Sequence, residues 1–219
     1  MTITFKALAA LLAYPVADLV AALPEIHVIV ESERALPRAV RADLVALIDE
    51  LAANDLIDLQ ERYVGLFDRG RATSLHLFEH VHGESRDRGQ AMVDLKAEYA
   101  RAGLTLVAGE LPDYLPALLE FVSMQDMEVA QAMLGESAHL LRKIGNALAK
   151  RESRHAAVFA AALALVGEAG LDAAPEVEPD RPIDEEWAEA PVIFGPGAAP
   201  SCGSQPPASA VVKFMPRAA

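Results

Sequence analysis

Leu77-Phe78-Glu79-His80-Val81-His82-Gly83-Glu84-Ser85-Arg86-Asp87-Arg88-Gly89-Gln90-Ala91-Met92 sets histidines, both signs of charge and two glycines between stretches of apolar helical periodicity. Gly83 breaks the first helix and Ser85 can cap the next, so the stretch is a corner between helices. Arg86 and Arg88 then fall in a first helical turn, where cations oppose the macrodipole and Asp87 is the favourable choice. Gly89 sits in helix interior at a cost of up to about 1 kcal/mol. Local rules broken together in one place point to buried ion pairs, a close backbone approach or a binding site. Glu79, Glu84 and Asp87 are the candidates to neutralise the arginines.

Outward from this corner the 3.6-residue period recurs in almost every segment, and no alternating β-branched stretch appears. Phe5, Leu8, Leu11 and Leu12 mark a first helix that ends near Tyr14, before Pro15. A second short helix is expected to run to Leu23. Pro37 begins a longer one, with Val40, Leu44, Leu47, Ile48 and Leu51 on one stripe. Asp55 is placed to cap a helix that buries Leu59, Tyr63, Leu66 and Phe67 and stops at Asp68-Arg69-Gly70. Met92, Leu95, Tyr99 and Ala102 form a stripe closed by Gly103. Pro112 starts a segment with Tyr114, Leu115, Leu118, Leu119 and Val122, followed by helices over about Glu128–Lys150 and Ser153–Ala169.

The pattern predicts an all-α chain, one helical domain of roughly eight helices over residues 1–170. Residues 171–219 read as an irregular, acidic, proline-rich tail with an acidic block from Asp172 to Glu189. Within it Trp187 and Pro191-Val192-Ile193-Phe194-Gly195 are too apolar for a pure linker, making 187–195 a possible docking segment. No internal repeat of fixed period is present.

Of 219 residues, 53% are hydrophobic but only 5% aromatic, so alanine supplies much of the apolar count and favours helix. The formal net charge of -13 argues against nucleic acid or an anionic membrane surface as partner and suits a basic peptide. Met1 to Leu12 lacks the marks of a secretory signal, and the run from Ala156 to Val166 is shorter than the roughly 18 residues that span a bilayer. A cytoplasmic protein is expected. Cys202 is the single cysteine, so neither an intrachain disulfide nor an all-cysteine metal site exists.

Enzymatic chemistry has one foothold. His76-Leu77-Phe78-Glu79-His80 matches the H-x-x-E-H of inverted zinc proteases, in which two histidines on one helical face chelate zinc and the glutamate activates water. A third ligand has to come from elsewhere, and Glu152 lies among Lys150, Arg151 and Arg154, which repel a metal ion. The plainer alternative has His76 on a packed helical face and His80 or His82 hydrogen-bonded to a backbone carbonyl at the turn.

The stretch ending at Met92, taken whole, resembles the signature of the nitrate reductase molybdenum cofactor assembly chaperones, the NarJ family. Tyr63-Val64-Gly65-Leu66-Phe67-Asp68, then Glu110-Leu111-Pro112-Asp113-Tyr114-Leu115-Pro116 with Leu119-Glu120-Phe121, and Trp187 with residues 191–195, agree in the same order. The resemblance covers most of the chain and absorbs Glu79 and His80 without zinc. It implies an all-helical, cytoplasmic chaperone that performs no turnover and holds no cofactor or metal of its own. Its client would be the apo form of the nitrate reductase catalytic (alpha) subunit. The chaperone would bind the client's N-terminal segment, assist molybdenum cofactor insertion and delay membrane docking, without joining the final enzyme or associating stably with the membrane.

An acidic helical body suits a basic, amphipathic client segment. The client groove is expected between the Tyr63–Phe67 helix, the turn from His80 to Arg88 and the Tyr114–Phe121 helix. Glu79, His80, His82, Glu84, Arg86, Asp87, Arg88 and Tyr114 are its candidate client-binding residues, and no catalytic residue is expected. A helical adaptor for an unrelated peptide shares the composition but not the ordered set of motifs.

Overall fold

A computed structural model describes residues 3–81, 86–106 and 109–172 and, of Arg86 and Asp87, the backbone alone. His82, Gly83, Glu84 and Ser85 lie outside the described residues, as do Trp187, the 191–195 segment and Cys202. Among the described residues the chain is all-α, with ten α-helices and no strand beyond one isolated antiparallel bridge between His76 and Tyr114. No described helix is long and apolar enough to cross a membrane.

The first three helices are α1 (Ile3–Leu12), α2 (Ala17–Ser32) and α3 (Arg38–Ala53). The second is twice what its proline suggests: it continues through Pro24 instead of ending at Leu23. The proline ring faces solvent, while Leu23, Ile26 and Val30 are buried on the opposite face. Burial of three large apolar side chains at about 1.5–3 kcal/mol each outweighs the roughly 3 kcal/mol that an interior proline costs.

Next, α4 (Leu56–Tyr63) runs into a π-helical turn over Val64–Asp68 and a 3₁₀ turn over Arg71–Thr73. Asp55 stands at the N-cap of α4 but makes no side-chain capping bond, so its role as a cap is not borne out. The corner itself divides into α5 (Leu77–Val81) and α6 (Arg86–Arg101), with Gly89 inside α6 as expected. Its absent side chain faces open space, so no close backbone approach explains this glycine. The C-terminus of α6 is a Schellman motif: Gly103 has φ +80°, its N–H bonds Ala100 O, and Leu104 N–H bonds Tyr99 O.

Helix α7 (Leu115–Ser123) begins at Leu115 rather than Pro112. The single helix expected over 128–150 is two, α8 (Met127–Glu136) and α9 (Ala138–Lys150), parted where Ser137 leaves helical geometry at φ -94°, ψ 2°. The last is α10 (Ala156–Leu165), whose Val158, Ala161, Ala162 and Leu163 are buried around its circumference. It is the central helix, packed on α9, α3, α1 and α8. Its approach to α9 is close at Gly145, where an added Cβ would come within 2.9 Å of the Phe159 Cβ and 2.5 Å of a Leu171 methyl. α1 packs on α7 and α2, which brings the end of α1 beside the start of α7 and positions the site.

Candidate functional site

The corner is organised by a residue the motif does not contain. Asp113, fully buried, lies in the loop before α7. One carboxylate oxygen accepts the Phe78 N–H at 3.1 Å, in the first turn of α5, and the other lies 3.3 Å from His76 Nδ1. The backbone repeats the linkage: Leu77 N–H donates to Asp113 O at 3.1 Å, and Leu115 N–H to Leu75 O at 2.8 Å. A negative charge set against the exposed amides of a helix start is favourable, and burial strengthens each bond.

The motif's charges turn inward onto this carboxylate. The Arg88 guanidinium is 3.9 Å from Asp113 and 3.5 Å from Glu79. Glu79 also accepts the Ser74 hydroxyl at 2.6 Å. A buried carboxylate with a helix amide, an imidazole and a guanidinium around it has its charge compensated, which is the condition for tolerating such burial. This is the internal salt-bridge network that local rule-breaking suggests, and Arg88 takes part in it.

Each histidine has its own environment. His80 Nε2–H donates to Ser74 O at 2.9 Å, as expected of a histidine at the turn. Burial pushes its pKa below the ordinary histidine value, so the ring is neutral at pH 7. The hydrogen bond to Asp113 raises the pKa of His76 despite opposing burial. His76 precedes α5 and is paired in the extended bridge to Tyr114, so it does not share a helical face with His80. The chelating geometry assumed for H-x-x-E-H is therefore not formed, and Glu79 is engaged with Ser74 and Arg88. Among the described residues no three His, Cys, Asp or Glu side chains are grouped to hold a metal ion.

Tyr114 extends the site toward the N-terminus. Tyr63 donates to Leu12 O at 3.0 Å, which leaves Tyr114 as donor in the 2.9 Å contact between the two phenols. Burial, first, pushes both phenol pKa values up. The Tyr14 ring stands edge-on to Tyr63 at 5.4 Å, and His76 stacks at a tilt on Tyr114 at 5.4 Å. Tyr99 anchors α6 below by donating to Pro112 O at 2.8 Å and packing its ring 4.7 Å from Phe121.

Of the candidate client-binding residues, Glu79, His80, Arg88 and Tyr114 are thus gathered around the 74–79 segment and the loop before α7. Arg86 and Asp87 open α6, and His82 and Glu84 lie outside the described residues. Sequence reasoning missed Asp113, Ser74 and Tyr14. The signal for Asp113 was an acid enclosed by apolar residues and two prolines in Leu111-Pro112-Asp113-Tyr114-Leu115-Pro116, where a carboxylate without a helical partner is poised to cap a backbone elsewhere.

Comparison with known proteins gives this corner its context. The nitrate reductase delta subunit family matches residues 33–161, which hold everything from α3 to α9. "Nitrate reductase molybdenum cofactor assembly chaperone NarJ" of Escherichia coli K12 is 42% identical over 193 residues, covering 84% of this chain and 81% of the relative. "Probable nitrate reductase molybdenum cofactor assembly chaperone NarW" of the same strain is 41% identical over 178 residues, 76% of this chain and 77% of its own. A Bacillus subtilis protein described as "Probable nitrate reductase molybdenum cofactor assembly chaperone NarJ" is 31% identical over 169 residues, 77% and 91% respectively.

Proposed function

This chain belongs to the nitrate reductase delta subunit family of molybdenum cofactor assembly chaperones, and on that premise we propose that it binds the apo catalytic subunit of a respiratory nitrate reductase through that subunit's N-terminal segment. It holds the subunit in the cytoplasm while the cofactor is inserted, delays docking to the membrane anchor and leaves the mature enzyme. It turns over no substrate. The observation that carries the client-binding part is the corner built on Asp113. One buried carboxylate ties the start of α5, Arg88 of α6 and the loop before α7 together, and Glu79 and His80 on α5 and Tyr114 before α7 stand on the segments it joins.

The acidic balance of the chain, at a formal charge of -13, supports a basic partner and steers its approach. Glu79, Glu84 and Asp87 supply acid in the corner sequence. Glu79 is paired with Arg88 and Ser74 in the corner, and on this reading it also meets the client.

The test is calorimetric titration of the purified full chain with a synthetic peptide carrying the N-terminal sequence of the cognate catalytic subunit, against a scrambled peptide of equal charge. Binding of the native sequence at about one to one, with little for the scramble, is expected. Equal heats for both peptides would move recognition away from that segment.

A further inference from the structure

Tyr14, Tyr63, Tyr114 and His76 form a continuous row. Tyr14 lies beyond the end of α1, Tyr63 closes α4, Tyr114 precedes α7, and His76 precedes α5. The links are the 5.4 Å edge contact from Tyr14 to Tyr63, the 2.9 Å phenol contact from Tyr63 to Tyr114, and the 5.4 Å stack of Tyr114 on His76. Tyr63 is buried and serves as the backing. The other three reach solvent: Tyr14 is 44% exposed and the His76 side chain 32%, and Tyr114 is half-buried.

The fold accounts for Tyr63 through core packing and its bond to Leu12. It does not account for an exposed tyrosine ring at position 14, flanked in sequence by an exposed Val16, or for the exposed Leu111 near Tyr114. Charge distinguishes the two ends of the row. At the His76 end, Arg88 already compensates Glu79 and Asp113. Toward Tyr63 and Tyr114, the carboxylates of Asp68 and Glu110 act on the phenols, Asp68 on both and Glu110 on Tyr114. Neither Asp68 nor Glu110 forms an ion pair among the described residues. Aromatic rings that reach solvent beside carboxylates outside any ion pair attract a cation twice, through the ring quadrupole and through the acid.

We propose that Tyr14 and Tyr114, backed by Tyr63 and flanked by Asp68 and Glu110, form a shelf that receives an arginine or lysine side chain of the client's N-terminal segment. The assignment rests on the client reading above and adds to it a specific recognition element centred on Tyr14, outside the corner motif. Rings held edge to face and by hydroxyl bonds lose little freedom on binding, which suits them to a contact that fixes register.

The experiment titrates the full chain and its Tyr14→Phe, Tyr14→Leu and Tyr114→Leu variants with the N-terminal peptide of the catalytic subunit. The peptide is used as such and with each arginine or lysine replaced singly by glutamine. Circular dichroism establishes folding of each variant. Tyr14→Phe keeps the π-face and should bind within about twofold of the native chain, whereas Tyr14→Leu should lose about fivefold or more. One peptide replacement should cause a similar loss, and combining it with Tyr14→Leu should add little. Binding by the native chain with no loss in Tyr14→Leu, or an equal loss for every peptide, would overturn the shelf and leave the client reading standing. Absence of binding by the native chain would remove both.

Discussion

The carboxylate of Asp113 and the backbone nitrogen of Phe78, 35 residues apart in sequence, meet at 3.1 Å with the acid fully buried. A loop residue therefore closes the N-terminus of a helix that belongs to a different part of the chain. Replacing Asp113 by alanine removes the acceptor of that N–H and the buried one of the two carboxylates around Arg88, leaving the guanidinium only Glu79. A cost of about 3 kcal/mol is expected, the sum of an unsatisfied buried amide and a broken charged bond. Asp113→Asn keeps an acceptor oxygen and should cost less than half as much. Urea unfolding measures both, and equal losses would mean that packing, not the hydrogen bond, decides.

His76 titrates against the same carboxylate. Its pKa is raised by the bond to Asp113, so the folded state holds the proton more tightly than the unfolded chain. The stabilisation is fully present below about pH 6.5 and is lost as pH rises through the folded value. The pair is a third exposed at His76, and the contribution is accordingly modest, about 1 kcal/mol. The stability difference between the native chain and His76→Gln should shrink between pH 5.5 and pH 8.5. A constant difference across that range would assign His76 to packing alone.

Glu152 has φ +55°, the only non-glycine residue with positive φ among the described residues. It closes α9 through bonds from its own N–H to Ala149 O and from Ser153 N–H to Leu148 O, the pattern that Gly103 makes after α6. The left-handed conformation costs a residue with a Cβ about 1–2 kcal/mol, part of which glycine returns in unfolded-state entropy. Glu152→Gly should therefore raise stability by about 0.5–1 kcal/mol. A drop in the denaturation midpoint would show that the Glu152 side chain makes a compensating interaction.

The elements that were legible in the sequence are those whose signal is local. Gly103 as a cap and the Leu44, Leu47, Ile48 and Leu51 stripe follow from spacing alone, and both appear as read. Where a local signal and tertiary burial compete, burial wins: Pro24 does not stop α2, because the face carrying Ile26 and Val30 is needed by the core. The site was legible in half. The charged corner stands out by its broken rules, but Asp113 makes its contacts across 35 or more residues to His76 and Phe78, and no local period encodes such a pairing. The H-x-x-E-H pattern fails for the same reason, since His76 is drawn out of the helix by its bridge to Tyr114.

His155 makes the opposite prediction to His76. It occupies the N-cap position of α10 with its ring edge-on to Phe67 at 5.4 Å, and its Nδ1 lies 3.4 Å from the Ser153 hydroxyl. With Leu59, Tyr63 and Leu66 it borders a cavity of about 40 Å³, room for a water but not for the hydration shell of an imidazolium. Burial pushes its pKa down to about 4, and the positive end of α10 acts in the same direction. The folded state thus resists the proton that the unfolded chain accepts. The stability His155 allows is intact above about pH 6.5 and is lost as pH falls toward 4, by at most about 3 kcal/mol. His155→Gln cannot take up that proton, so its stability should fall less steeply than the native chain's between pH 6.5 and pH 4.5, whatever its stability at pH 7. Parallel pH curves for the two proteins would mean that the ring escapes to solvent when protonated, and that the contact with Phe67 does not confine it.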